Sequence, residues 1–421
     1  MPPLLTFRTQ LVRHPTGLLA AAAGPEPLVW LRRGQGFAAS GQAARYETAG
    51  PGRFRRAQDW WDGIIARSQI EGPSLVPGMG PLALGSFSFS DTSSEPSLLI
   101  VPRLVVARFR GHEWVTSAAP PGQAHPTLES LLPDADPPAP LPHLTQRPGP
   151  VPADDWPGVV RQAVQLIAAG SIDKVVLARS VVAESTGGLI DPRIILARLA
   201  ERYRDTWTFA VDGLIGATPE LLARSVRGLV TSRVLAGTIR REGSDQADLA
   251  HAGALARSSK DLEEHEIAVA SVVSALEPLT EELSVPDGPS VLHLPNVMHL
   301  ATEVVGDLRR SESGALPGVL SLVEALHPSA AVCGTPRPAA LGVIERLEGL
   351  DRGRYAGPVG WVDQNGDGEW GLALRCAQLS SDRRAARLWA GGGIVAASDP
   401  SAELAETEAK LLPMRQALGL A

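Results

Sequence analysis

Cysteine is almost missing from this 421-residue chain. Its two cysteines, Cys333 and Cys376, match neither a disulfide framework nor a zinc-site spacing, and so few thiols fit a reducing, cytoplasmic compartment. Tyrosine and lysine are also scarce, a compositional bias that says little about function. No block of like charges occurs and the formal net charge is −7, so nothing suggests a nucleic-acid surface. An acidic protein that takes an anionic ligand must hold it with a few local cations or a metal. No apolar run reaches the roughly 18–20 residues that span a bilayer, so a membrane protein is not expected. The N-terminal MPPLLTFRTQLVRHPTG lacks a long apolar stretch before a small-residue cleavage site, and no signal peptide is read there.

What is present is an ordinary globular balance, 44% hydrophobic and 20% charged, with material for two or three average domains or one large one. A helix is expected around Trp60, Trp61, Ile64, Ile65 and Ile70. A strand follows through Leu99, Val101, Leu104, Val106 and Phe109, with Pro102 marking an edge or a bulge. Prolines between 120 and 152 are too dense for a helix or a central strand, and composition alone reads this stretch as a linker. Beyond it, residues 155–169 read as an amphipathic helix ending at Gly170, and KVVLARSVVAES as a strand. A helix over 191–204 and short strands at 209–213 and 221–224 come next. Serines 258 and 259 cap a long helix. Further helices cover 316–326 and the segment after Pro338. A hairpin turns at 365–368, and a glycine-rich strand leads to a last helix over 402–418, which Pro413 should kink or break. Strands in hairpins as well as singly mark an α+β chain rather than a regular βαβ repeat.

Several residues are candidates for chemistry. Asp261 and Glu264 stand at i and i+3 on one helix, and Glu403 and Glu406 repeat that spacing on another. Such pairs either form an oxygen-rich site for Mg²⁺ or merely complement the helix dipole, and spacing alone favours the dipole. The cluster AGGGIVAAS lets a backbone approach an anion, or makes a tight turn. DQNGDGEW imitates a calcium loop but has Leu374 where the bidentate Glu belongs, so a hairpin turn is the better reading. His327 lies in a polar loop, HPSAAVCGTP, where a structural role is the commoner one. Lys174 opens an otherwise apolar strand. It either snorkels to solvent or faces a partly buried site, where desolvation would make it a general base near neutral pH.

Taken in order, KVVLAR, GATPELLAR, LAGT, SSKDLEEHE, HLATEVVGDL, LHPSAAVCGTP, DRGRYAGPVGW, EWGLALRCAQL and AGGGIVAASDPSAELAETEAK resemble the chorismate-utilising enzyme family. The matching segments span residues 174–410. Residues 1–150 are similar to the family's variable half only loosely, through PLALGSFSFS and LLIVPRLVVAR.

The resemblance implies one domain over residues 1–421, of two stacked antiparallel sheets flanked by helices, an α/β/β/α sandwich. Residues 120–152 would then be a surface connection between a variable N-terminal half and a catalytic half over 155–418. It implies Mg²⁺ held by Glu264 and Glu406, with Asp261 and Glu403 behind them. Chorismate would be held by Tyr355, Arg375 and the backbone of Gly391, Gly392 and Gly393, with Thr238 and His327 against its ring. Lys174 is the residue expected of members that use water, and Glu220 matches the acid that protonates the departing C4 hydroxyl. The implied activity is isochorismate synthase, a cytoplasmic monomer or homodimer with no glutaminase subunit, feeding menaquinone or siderophore synthesis. A salicylate synthase, which also expels pyruvate, shares every one of these residues. A silent chorismate-binding protein should have lost at least one of Lys174, Glu220, Glu264 or Glu406, and all four are present. Departures from the family pattern are Val234 for a proline, HPSA for HPTP, and Asp261 where many members have Glu.

Overall fold

A computed structural model describes residues 2–13, 17–22, 24–127 and 138–420. Its strands form two long antiparallel runs. The first passes from Leu144–Pro148 through Lys174–Ser185, Ala385–Ile394, Cys376–Leu379, Leu214–Thr218, Trp207–Val211 and Leu28–Arg32 to Gln35–Thr48. The second passes from Leu82–Ser86 through Pro358–Asp363, Gly368–Leu372, Leu221–Val226 and Leu229–Arg240 to Val297–Leu308. The long strand Ser97–Phe109 pairs with both Gln35–Thr48 and Leu82–Ser86, so the two layers are hydrogen-bonded into one network.

Large aromatic side chains fill the space between the layers. Phe37 meets Trp361 edge-on, and Trp30 and Trp207 of the first run both donate their indole N–H to Glu369 of the second, at 2.8 and 2.7 Å. Helices cover the outer faces. Ser259–Leu276 and Val319–Leu326 lie on the second run, Arg53–Ile65 packs against Val319–Leu326 and the strands Gln35–Thr48 and Ser97–Phe109, and Trp156–Ala168, Pro192–Arg202, Arg337–Glu348 and Pro400–Leu418 lie on the first run. The expected α/β/β/α arrangement is therefore present.

Strands on either side of the proline-rich stretch pair with each other: Leu28–Arg32 with Trp207–Val211, and Leu82–Ser86 with Pro358–Asp363. This pairing is incompatible with a flexible linker between independent units. Part of the stretch, 128–137, lies outside the described residues. Its described end supplies the edge strand Leu144–Pro148, where a proline is tolerated. Pro102 lies opposite a register shift between Gln42 and Ala44, and on its other side it falls in the gap between one ladder that ends at Ile100 and another that begins at Leu104, so it has both a bulge and a local edge.

Three local expectations are corrected. Ile70 is not helical; the helix closes at Ile65 and Ile70 pairs with Phe7 in a short parallel ladder. Leu214–Thr218 is a strand that apolar patterning missed, although the Asp212–Gly213 turn, with φ of 52° and 76°, is the usual hairpin signal. The last helix runs unbroken from Pro400 to Leu418 through Pro413. Proline removes the N–H that would reach the carbonyl of Ala409, and Asn296 Nδ2 donates to that oxygen instead, at 2.9 Å.

The two helices that matter most start where their caps place them. Ser258 Oγ accepts from the N–H of Asp261, and Asp399 accepts from the N–H groups of Ser401 and Ala402, with Pro400 in the first turn. Each cap fixes which residues of the first turns face the strands beneath.

Candidate active site

Lys174, the first residue of its strand, is wholly buried. Its Nζ lies 3.3 Å from Glu264 Oε1 and 3.3 Å from the main-chain oxygen of Glu264, on the facing helix. Two similar pairs stand beside it. Lys260 Nζ lies 2.7 Å from Glu403 Oε1, and Lys410 pairs with Glu406 while donating to the carbonyl of Gly391 at 2.9 Å. The chain contains three lysines in all, Lys174, Lys260 and Lys410, and every one is here.

The glycine strand makes this packing possible. Gly391, Gly392 and Gly393 pair with Ala178, Leu177 and Val176 on the Lys174 strand. A Cβ on Gly393 would stand 2.0 Å from Glu264 Oε1 and 3.0 Å from Lys174 Cε. One on Gly392 would stand 2.9 Å from Glu403 Oε2 and 3.5 Å from Glu406 Oε1. Three carboxylates thus lie against a backbone stripped of side chains. Glu403 Oε2 is buried without a hydrogen-bond partner. As the side chains stand, each glutamate is engaged by a lysine, and among the described residues no three acidic, His or Cys groups converge on a single point.

Charge is divided unequally among the acids. Burial, and then the charge of Glu406, push Glu403 up to about 7 despite Lys260. Burial acts on Glu406 in the same direction, but Lys410, with Lys260 and Arg375, outweighs it and holds Glu406 below the usual range. Glu220 sits just after strand Leu214–Thr218, its N–H on Thr218 Oγ1 at 3.2 Å. Burial pushes its carboxyl up to about 8, against the opposing pull of Lys174, Lys410 and Arg375. Glu220 therefore keeps its proton at neutral pH.

Glu220, Glu264, Thr238, Tyr355, Arg375, Lys410 and the three glycines line one cavity. On one wall, Arg375 occupies a left-handed backbone position, φ 49°, and Nη2 donates to His299 Nε2 at 3.0 Å. Burial and the Arg375 charge hold His299 well below its usual range, so it is neutral. With Nε2 accepting, the ring proton belongs on Nδ1, which lies 3.1 Å from Thr238 Oγ1. Thr238 accepts from His299 and has its own hydroxyl proton left to give. On another wall Tyr355 stacks on Trp389, ring centroids 5.5 Å apart at 7°.

Lys174, Asp261, Glu403 and Glu406 stand behind the cavity surface rather than on it. Burial raises Asp261, which packs beside Gly237. His327 was expected against the substrate ring, but it does not line the cavity. Its ring contacts Phe54 and Phe89 edge-on and Nε2 donates to the carbonyl of Phe89 at 3.0 Å. Burial holds it at about 3, so it is a neutral core residue. Asp363 likewise organises a turn, accepting from the N–H groups of Gly78, Asn365 and Asp367, which confirms the hairpin reading of DQNGDGEW.

Sequence reasoning did not single out Lys260, Lys410, His299 or Trp389. The signal for the lysines was their rarity: each of the three falls inside a family-like segment. His299 was recoverable only from its register opposite Thr238 in the strand pair.

Two layers of antiparallel strands around a cleft of paired carboxylates and lysines define a chorismate-binding architecture, and the comparisons agree. The sequence profile of the chorismate binding enzymes matches residues 22–419, and the chain belongs to that family. It is similar to MenF of Mycobacterium tuberculosis, 38% identical over 360 residues that cover 82% of this chain and 89% of the relative. It is 34% identical over 415 residues to the salicylate biosynthesis isochorismate synthase of Pseudomonas aeruginosa, covering 93% and 84%. Among solved structures, DhbC of Bacillus anthracis superposes with a TM-score of 0.77 at 32% identity, covering 96% of this chain and 99% of that one.

Proposed function

We propose that the chain is an isochorismate synthase. A water adds at C2 of chorismate, the ring double bonds shift, and the C4 hydroxyl leaves, so the net change is an isomerisation. The observation that carries this reading is Glu220, a buried carboxyl held protonated in the same cavity that Glu264 and the glycine strand close. To it is assigned the proton that the departing hydroxyl takes. Lys174, acting as the neutral amine, is assigned the proton of the attacking water and becomes the ammonium, with Glu264 positioning its nitrogen. Arg375, Tyr355 and Thr238 are assigned the side-chain carboxylate and ring of the substrate.

Mg²⁺ fits the residues present. Carboxylate oxygens are the ligands it prefers, the glycine strand leaves them room, and the unpartnered oxygen of Glu403 has capacity for another contact. Glu264 and Glu406 would hold it, with Asp261 and Glu403 behind them. When bound, it supplies positive charge against the ring carboxylate of chorismate. Among the described residues no helix is long and apolar enough to cross a membrane. A cytoplasmic monomer or homodimer that needs no glutaminase subunit accords with two buried, unbridged thiols and with water as the nucleophile.

The test is incubation of the purified protein with chorismate and Mg²⁺, followed by chromatography. Isochorismate as the product, lost on chelation and in Lys174→Gln, is expected. Salicylate with pyruvate would overturn the product assignment, and an active Lys174→Gln would overturn the base.

A further inference from the structure

The helix Pro400–Leu418 carries Glu403 and Glu406 in its first half and Lys410 and Pro413 in its second. A buried proline inside a helix leaves the carbonyl four residues earlier without its donor and pushes against it, which normally bends the helix. Here that carbonyl belongs to Ala409, next to Lys410, and the helix continues. Its oxygen accepts from Asn296 Nδ2 at 2.9 Å.

Asn296 is itself firmly held. It lies in the tight turn between strands Ser290–His293 and Val297–Leu308, where Leu294 N–H donates to the carbonyl of Val297 at 2.9 Å. The carbonyl of Asn296 accepts from Arg241 N–H at 3.1 Å. Three residues further on, the same strand presents His299 to Arg375 and Thr238. One side-chain amide therefore joins the strand that carries the His299 wall to the helix that carries two of the three carboxylates, at the one helical carbonyl that Pro413 has freed.

We propose that Asn296 is a positioning residue for the reaction. Its amide replaces the helical bond that Pro413 cannot make and thereby sets where Glu406 and Lys410 stand relative to His299 and Arg375. The proposal rests on the isochorismate synthase reading for its kinetic consequence but not for its structural one. The orientation of the amide follows from the bond itself, since only its nitrogen can donate to a carbonyl.

The experiment is a double-mutant cycle on the full chain: wild type, Asn296→Ala, Pro413→Ala and the double variant. Alanine at 413 restores an N–H that can reach Ala409, so the Asn296 amide becomes dispensable. Asn296→Ala should lower kcat/KM for chorismate roughly tenfold, a size in line with leaving a partly buried carbonyl unpaired. It should also weaken the rise in Tm produced by Mg²⁺. Pro413→Ala should stay within about twofold of wild type, and the double variant should return to within about twofold of Pro413→Ala. Asn296→Asp, which sets an acceptor against the carbonyl, should be worse than alanine. Should Asn296→Ala alone fold poorly, the Pro413→Ala background supplies the comparison.

Additive effects, or an Asn296→Ala protein with wild-type kcat/KM, would overturn the proposal. So would coupling in Tm without any in kcat/KM or the Mg²⁺ response, because that is a purely structural role. Coupling in Tm and its Mg²⁺ response, in a wild-type protein that makes no isochorismate, would sink the proposed function and leave the positioning intact.

Discussion

Lys174 touches Glu264 twice, its ammonium lying 3.3 Å from the carboxylate oxygen and 3.3 Å from the main-chain carbonyl. The pair joins the first residue of a strand to the second turn of a helix on the opposite layer. Both partners are at fixed positions, so the slot admits a slender ammonium and little else.

Lys174→Arg should therefore fail despite keeping the charge. A guanidinium is planar, broader and does not lose its proton in proteins, so it cannot serve as a base. A fall in kcat of roughly 10²–10⁴ is expected, the usual worth of a general base. The chromatographic assay for isochorismate measures it, and a variant retaining more than a tenth of wild-type turnover would contradict the assignment.

Glu220 predicts the alkaline side of the pH profile. Held at about 8 mainly by burial, it is protonated below that pH and ionised above it. As the proton donor it should make kcat/KM level on the neutral side and fall about tenfold per unit above pH 8. Initial rates between pH 6 and 10 test this, and a profile flat to pH 10 would remove Glu220 from the role.

The same shift has a consequence for stability. Glu220 ionises near 4.5 when unfolded and near 8 when folded. Between those values the folded state holds a proton that the unfolded state has lost, so stability falls as pH rises. Glu220→Gln removes this dependence. Its Tm advantage over wild type should grow from pH 5 to pH 8 while its activity is lost, as calorimetry at several pH values would show.

The glycine strand separates two substitutions of equal chemistry. Gly393→Ala drives a Cβ into Glu264, which Lys174 holds from the other side. A loss of roughly 1–3 kcal/mol of stability is expected from such overpacking, with activity down at least a hundredfold. Gly392→Ala presses on the free end of Glu403 at 2.9 Å and meets Glu406 Oε1 only at ordinary contact distance, 3.5 Å, and should retain more than a tenth of the activity. If the two alanines behave alike, the carboxylate packing described here is not what the glycines serve.

Patterning made most helices and hairpins legible because caps and turn residues announce them: Ser258, Gly170 and the 365–368 turn all fall where the sequence places them. The proline-rich stretch misled because composition records local stiffness, whereas strands on either side of it, 181 residues apart at Val29 and Ala210, pair directly. Pro413 misled for the same reason, its compensating donor lying more than 100 residues away at Asn296. Within the site, paired acids were visible as spacing, but their lysine partners come from three separate segments. His327 and His299 were indistinguishable as isolated histidines. Only tertiary placement puts one among phenylalanines and the other against Arg375.

The concentration of all three lysines in one cleft gives the protein an unusual chemical exterior. Wherever else a cation is needed the chain uses arginine, so it offers amine-directed reagents no lysine outside the cleft. Lys174 is shielded completely, and Lys260 and Lys410 are largely covered. Any acetylation, glycation or amine-directed crosslink that does take hold on a lysine must therefore land on a residue paired to Glu264, Glu403 or Glu406, and so report directly on whether the cleft has opened.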